Sequence, residues 1–171
     1  MIFAKTEHIE AIMNLYRKVV AHVNTTNIKL GWNTESYPDV SFVTAAVNAG
    51  QMCILEENGQ VIAAGVVNHN VNSEYDDIDW AVKGPKEKVS TIHALATDPE
   101  YRGKATADRL LKDIEAYCRA QGDTAIHLDV IDTNIPAYKL YIRNGYTEVA
   151  CIKMYYEVVG TREFWMMEKV L

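Results

Sequence analysis

Apolar residues along the chain switch between a helical and a strand-like rhythm, and the switches mark out its elements. After a short opening strand at Ile2-Phe3-Ala4, the positions Ile9, Ile12, Met13, Tyr16, Val19, Val20 and Val23 fall on one helical face. Residues 24–36 are polar and turn-rich, and Pro38 is expected in the first turn of a second helix that runs toward Asn48 and closes at Gly50. Apolar runs at 51–56 and 60–68 are joined by Asn58-Gly59, a strong two-residue hairpin signal, and Gly65 is expected to mark a bulge. Residues 70–86 are mixed and end in the turn Lys83-Gly84-Pro85-Lys86; a strand over 88–97 then stops at Asp98-Pro99.

The rhythm turns helical again over 105–121, with Ala107, Leu110, Leu111, Ile114, Tyr117 and Cys118 on one face and Gly122 as its stop. A strand at 124–130 alternates at Ile126, Leu128 and Val130. Asn134 is suited to cap a short helix that carries Pro136 in its first turn and ends at Asn144-Gly145. Residues 146–156 and 163–170 read as two final strands. The predicted order is β-α-α-β-β-β-α-β-α-β-β. An antiparallel meander feeds a strand–helix–strand–helix–strand unit, hence an α/β or α+β sandwich over 1–171 with no domain boundary.

Composition narrows this picture only modestly. With 171 residues, 49% apolar and 23% charged, the chain suits one globular domain able to bury a core. No run approaches the roughly 20 apolar residues of a membrane span, and the N-terminus has no basic leader before an apolar stretch. A cytoplasmic protein is expected, with no membrane partner. The net charge of −6 argues against nucleic acid, which needs a basic patch to release counterions, and favours a cationic or neutral partner. Cys53, Cys118 and Cys151 match neither a disulfide framework nor a metal site, so no metal is expected and the thiols read as idle.

Chemistry concentrates between Ile92 and Ala107, where a strand ends, a tight turn follows and a helix opens on small residues. The first helical turn offers free N–H groups and the positive end of the dipole, which suit a diphosphate. Small residues let backbone approach phosphate oxygens, and Arg102 and Lys104 add charge at the same end. Neither G-x-x-x-x-G-K-S/T nor G-x-G-x-x-G is present. A solvated basic turn is the plain alternative.

The segment Arg102-Gly103-Lys104-Ala105-Thr106-Ala107 resembles the acetyl-coenzyme A motif R/Q-x-x-G-x-G/A of the GCN5-related N-acetyltransferase (GNAT) superfamily. A second block, Asn134 to Tyr146, is similar to that family's N-x-x-A-x-x-L-Y-x-x-x-G-F/Y helix and turn, in the expected order and separation. The resemblance implies the GNAT fold, a mixed and mostly antiparallel sheet of about seven strands flanked by about four helices. It implies acetyl-CoA as co-substrate and a primary amine as acceptor. The strand Leu95-Ala96-Thr97 would run along the pantetheine arm, amides of Gly103 to Ala107 would hold the pyrophosphate, and Asn134, Ala137 and Tyr138 would flank the cofactor. One position departs: the first motif glycine is Ala105, whose Cβ is expected to loosen the fit to the pyrophosphate.

The resemblance also assigns Tyr141 as the acid that protonates the departing thiolate, since a phenol near pKa ~10 suits that task. His93 is two residues before Leu95 and thus on the same strand face, and its ordinary pKa of ~6.5 suits a base. Asp79 beside Trp80, within the acidic run Glu74, Asp76, Asp77 and Asp79, would receive a small cationic amine with help from the ring face. Trp32 and Tyr37 lie in the loop between the first two helices and would wall the acceptor site. Each has a plain structural alternative: a satisfied strand histidine, a solvated acidic loop, an aromatic pinning a loop. A non-catalytic acyl-CoA sensor, a protein N-terminal acetyltransferase, an interaction domain without cofactor and a homodimer are the remaining alternatives.

Overall fold

The computed structural model describes residues 1–71, 73–156 and 159–171. Among these, seven strands and four α-helices follow the predicted order: β1 (Ile2–Phe3), α1 (Ile9–Val23), α2 (Val40–Asn48), β2 (Met52–Glu57), β3 (Gln60–Asn68), β4 (Val89–Thr97), α3 (Thr106–Gln121), β5 (Ala125–Ile131), α4 (Ile135–Arg143), β6 (Thr147–Tyr156) and β7 (Gly160–Val170). The strands form one mixed sheet in the order β1-β2-β3-β4-β5-β7-β6. Strand β4 pairs parallel to β5 at Val89↔Ala125, Ser90↔Ile126 and Thr91↔His127. The last strand inserts between β5 and β6 and is antiparallel to both.

The chain divides into two compact units, one of Met1–Asn27, Trp32–Val67 and His93–Ile114, the other of Ile28–Gly31, Asn68–Ile92 and Glu115–Leu171. Two of the divisions fall inside β4 and α3 rather than in linkers, which is why no composition shift marks them. In the first unit α1 buries Ile12, Met13, Tyr16, Val19 and Val23 of the face its spacing predicts, and Leu15 beside them, while Ile9 and Val20 are half-buried. Leu110, Leu111 and Ile114 of α3 and the apolar positions of β2 and β3 are buried in the same unit. In the second, Tyr75, Ile78, Trp80, Ile131, Met154, Phe164 and Met166 form one apolar cluster, so the mixed segment before β4 supplies core residues. No helix among the described residues is long and apolar enough to cross a membrane.

Local chemistry explains most boundaries. Asn58 and Gly59 both take positive φ, 53° and 76°, as a two-residue type I′ hairpin demands. Two expectations need correction. Pro38 lies before the cap rather than in the first turn of α2, because Asp39 takes the cap and accepts from the Phe42 amide at 2.8 Å. The β2–β3 irregularity falls between Leu55 and Glu56, while Gly65 pairs regularly with Cys53. Against β2 the extra residue thus sits nearer the turn than the expected position at Gly65.

Candidate functional site

In the first unit, β4 changes character halfway along. There, its residues His93, Ala94 and Leu95 are half-buried while Ala96 is buried, and Ala94 sits at φ 50°. A left-handed alanine costs roughly 1 kcal/mol and breaks the strand's alternation. His93 and Leu95 therefore do not share a face by simple two-residue periodicity, contrary to the expectation. At the strand's end the Thr97 hydroxyl is buried without a hydrogen-bond partner among the described residues. Such an orphan calls for an explanation, and a polar ligand lying along the strand end supplies one.

The turn after β4 is pinned by Asp98, whose side chain is 1% exposed. Its carboxylate accepts from Lys18 Nζ at 2.7 Å, Gln60 Nε2 at 3.0 Å and the Glu100 amide at 3.0 Å. Burial works against the ionised carboxylate, but these bonds outweigh it and hold its pKa below the usual range. Beyond it, Gly103 and Ala105 both take left-handed φ, 76° and 57°, and α3 begins at Thr106. The first ladder bond of α3 runs from the Arg109 amide to the Ala105 carbonyl at 2.9 Å, so the first-turn amides ahead of it lie outside the helical ladder. Successive amides in a left-handed turn, at the positive end of a helix, form an anion-binding concavity. Space beside Gly103 is open, with nothing within 4 Å of where a Cβ would stand. Arg102 donates to His22 Nε2 at 2.7 Å, and Lys104 lies over the Tyr101 ring at 4.6 Å. The turn's backbone thus presents itself while its two cations are held against unit-one neighbours. These residues fit a pyrophosphate, which Ala105 would meet with a strained backbone as well as the extra Cβ anticipated from sequence.

The same unit brings Trp32 and Tyr37 together. Asn33 and Tyr37 exchange backbone hydrogen bonds, each 2.7 Å, closing the loop that carries both aromatics. Trp32 meets Tyr16 and Tyr37 edge-on at centroid distances of 5.8 and 6.4 Å, and Tyr37 meets Phe42 at 4.8 Å.

The second unit holds Tyr141, Asn134, Ala137, Tyr138, Asp79 and Trp80. Tyr141 is buried in edge-on contact with Tyr146 at 5.3 Å, and burial, then the Asp129 carboxylate, raises its hydroxyl pKa. Asn134 caps α4, its Oδ1 accepting from the Ala137 amide at 3.4 Å. Tyr138 donates to Glu148 Oε2 at 2.8 Å, which raises its own pKa. Asp79 and Trp80 part company. The Asp79 side chain is 97% exposed and pairs with Lys83, whereas the Trp80 ring is buried and stacked on His127 at 3.6 Å and 15°. One ring face meant for a cation is taken by the imidazole. Trp80 does line a pocket of about 200 Å³ with Tyr75, Asp76, Lys86 and His127.

Sequence reasoning missed the network under that pocket. Glu168, 3% exposed, accepts from His127 Nε2 at 3.0 Å and from the amides of Ala81 and Val82 at 3.0 and 3.1 Å. Burial lowers the His127 pKa, although Glu168 opposes that shift. Trp80 Nε1 donates to the Tyr75 carbonyl at 2.9 Å, and Tyr75 donates through its hydroxyl to Asp129 at 2.8 Å. The one available signal was a polar residue interrupting each of two apolar strands, at His127 and Glu168, which register opposite each other. Cys118 is buried, and burial pushes its thiol up to about 11, which leaves it a poor nucleophile. Asp98 and Tyr16 gave no signal beyond a strand stop and a helix core position.

Comparison with known proteins places this geometry in a family. The profile of the acetyltransferase (GNAT) family matches residues 10–146. The chain is 29% identical over 75 residues to the N-alpha-acetyltransferase RimI of Mycobacterium tuberculosis, covering 44% of this chain and 46% of that protein. It is 32% identical over 75 residues to the [ribosomal protein bS18]-alanine N-acetyltransferase of Haemophilus ducreyi, covering 43% and 52%. The matches span between 20% and 52% of the length of the curated relatives. In fold it is similar to a GNAT-family acetyltransferase of Streptococcus agalactiae, with a TM-score of 0.81, 18% identity and 99% and 93% of the two chains covered. It is also similar to yncA of Salmonella typhimurium, solved with its cofactor acetyl-CoA, with a TM-score of 0.69, 18% identity and 99% and 91% covered. With its seven-stranded mixed sheet, four helices and left-handed turn opening α3, the chain belongs to the acetyltransferase (GNAT) family, whose acyl donor is acetyl-CoA.

Proposed function

We propose that the chain is a cytoplasmic N-acetyltransferase that moves an acetyl group from acetyl-CoA to a primary amine by direct attack in a ternary complex. The observation that carries this reading is the continuous run from the Thr97 hydroxyl, unpartnered among the described residues, through the left-handed Gly103 and Ala105 into the first turn of α3. Amides there would hold the pyrophosphate, and the strand from Leu95 to Thr97 would flank the pantetheine arm. The amine nitrogen attacks the thioester carbonyl, a backbone amide near Leu95 polarises its oxygen, and the carbon–sulfur bond breaks as the amide forms. The nitrogen's proton passes to a base, for which His93 is the candidate on β4.

Tyr141 is the proposed acid at the departing sulfur. Its burial keeps the phenol protonated at neutral pH, as a donor must be. Its pKa lies above the ordinary thiol range near ~8.5, so hydrogen bonding to the developing thiolate contributes alongside proton transfer. For the acceptor, a small cationic amine is supported by the net charge of −6. The acidic run supports it less, because Asp79 and Asp76 are paired with Lys83 and Lys86. A peptide N-terminus is the second reading, supported by the likeness to the N-alpha-acetyltransferase of Mycobacterium tuberculosis and the bS18-alanine N-acetyltransferase of Haemophilus ducreyi.

A thiol-release screen with acetyl-CoA over small diamines, amino acids and short peptides tests both. Release with one class identifies the acceptor; acetyl-CoA binding with no release across the panel sinks the transferase in favour of a sensor. With a responsive amine, Tyr141→Phe is expected to lower kcat about 100-fold with KM for acetyl-CoA held. An unchanged kcat would remove Tyr141 from the chemistry.

A further inference from the structure

Tyr16 stands in the middle of α1 with no exposed surface, yet it carries a hydroxyl that burial obliges to find a partner. That partner is the carbonyl of Ala94, at 2.9 Å. Ala94 is the left-handed residue in β4, and such a conformation persists only where its surroundings over-determine it. The residue on β3 nearest Leu95 is Gly65, which brings no side chain there, whereas α1 brings the Tyr16 hydroxyl to the Ala94 carbonyl. Tyr16 also meets the edge of Trp32, which meets Tyr37, which meets Phe42, so an unbroken run of edge-on rings leads from the 37% exposed Tyr37 to the bulge.

We propose that Tyr16 is a positioning residue: its hydroxyl sets the backbone of His93-Ala94-Leu95, and its ring ties that backbone to the Trp32–Tyr37 wall. The inference rests on the transferase reading, in which the amide near Leu95 polarises the thioester and the aromatic wall borders the acceptor. Contact at the wall is then felt at the strand that aligns the thioester, and the strained alanine is the element that registers it. Burial keeps the Tyr16 hydroxyl protonated far above neutrality, so this tether acts at every working pH. It contributes alignment and no titrating group.

Tyr16→Phe keeps the rings and removes only the tether, so it separates alignment from packing. The probe is acetyl-CoA with hydroxylamine, an acceptor too small to need the aromatic wall, read by coenzyme A release above the uncatalysed rate. The variant is expected to lose about tenfold in kcat, the loss of roughly one hydrogen bond's worth of alignment, with Kd for acetyl-CoA within about twofold. The inflections of its pH–rate profile should stay where they are in the parent. Amide exchange at residues 93–95 should quicken about tenfold while that of β2 holds. A lower Tm with unchanged kcat and unchanged exchange at 93–95 would reduce Tyr16 to ordinary core packing and overturn the assignment. A parent that binds acetyl-CoA but releases no coenzyme A sinks the transferase reading instead, and the exchange measurement still decides for or against the tether.

Discussion

The two units of the molecule solve different physical problems with different materials. The first builds its candidate cofactor cradle from backbone: a left-handed Ala94 inside β4, left-handed Gly103 and Ala105 after it, and the free amides at the start of α3. The second builds from buried polar side chains: Glu168 gathers His127 and two loop amides, Asp123 accepts from Ser90 at 2.6 Å and pairs with His69, and Lys169 donates to Glu115 at 2.8 Å. Backbone amides cannot titrate and are fixed by local sequence, so the first arrangement suits a diphosphate that must be met the same way at any pH. Buried side-chain networks are specific and stiff, but each member depends on the others. Apart from Asp98, which pins the turn after β4, the first unit's cradle should therefore tolerate the loss of a side chain better than the second unit's network.

The largest effect expected is at Glu168. Replacing it with alanine leaves His127 and the amides of Ala81 and Val82 without their acceptor, at a cost of about 3 kcal/mol in unfolding free energy. Urea denaturation checks this, and a loss below about 1 kcal/mol would show that the network is not the keystone of its unit. Next in size is Ala105→Gly, which relieves a left-handed alanine and removes the Cβ at the turn. It is expected to stabilise by about 1 kcal/mol and to tighten acetyl-CoA binding severalfold by calorimetry. Weaker binding would mean that the alanine is a contact rather than a burden.

The smallest effects are the acid responses, and they separate the units most sharply. Burial lowers the His127 pKa in the folded state, so its contribution is complete above the unfolded value near ~6.5 and fades as pH falls below it. Asp98 is also lowered, with its hydrogen bonds overcoming burial, so its contribution is complete above about 3.9 and fades only below that. Hydrogen exchange, corrected for the intrinsic pH dependence, should show β5 losing protection as pH falls below about 6.5 while the turn after β4 holds to about pH 4. Simultaneous loss in both would deny that the units differ in this way.

Much of the fold was legible because its signals are local. The spacing of Ile12, Met13, Tyr16 and Val19, the Asn58-Gly59 turn, and the helix stops at Gly122 and Gly145 depend on neighbours a few residues away. The turn of the candidate cradle was legible for the same reason, since small residues after a strand are themselves the chemistry of close backbone approach. Pro38 and Gly65 misled because a cap and a hairpin bulge compete for the same residue types. Trp80 and Asp79 misled because adjacency in sequence says nothing about which of two neighbours turns inward.

By itself, the sequence determined the order of elements, the family blocks at 102–107 and 134–146, and the backbone character of the turn before α3. Tertiary structure alone decided that β7 lies between β5 and β6, that Glu168 meets His127, and that Tyr16 reaches Ala94 seventy-eight residues away. The reason is range. Turn geometry, capping and periodicity are set within a few bonds, whereas a buried polar group takes whichever partner the packed chain brings within 3 Å. The candidate cofactor cradle belongs to the first kind of information and the proposed Tyr16 tether to the second.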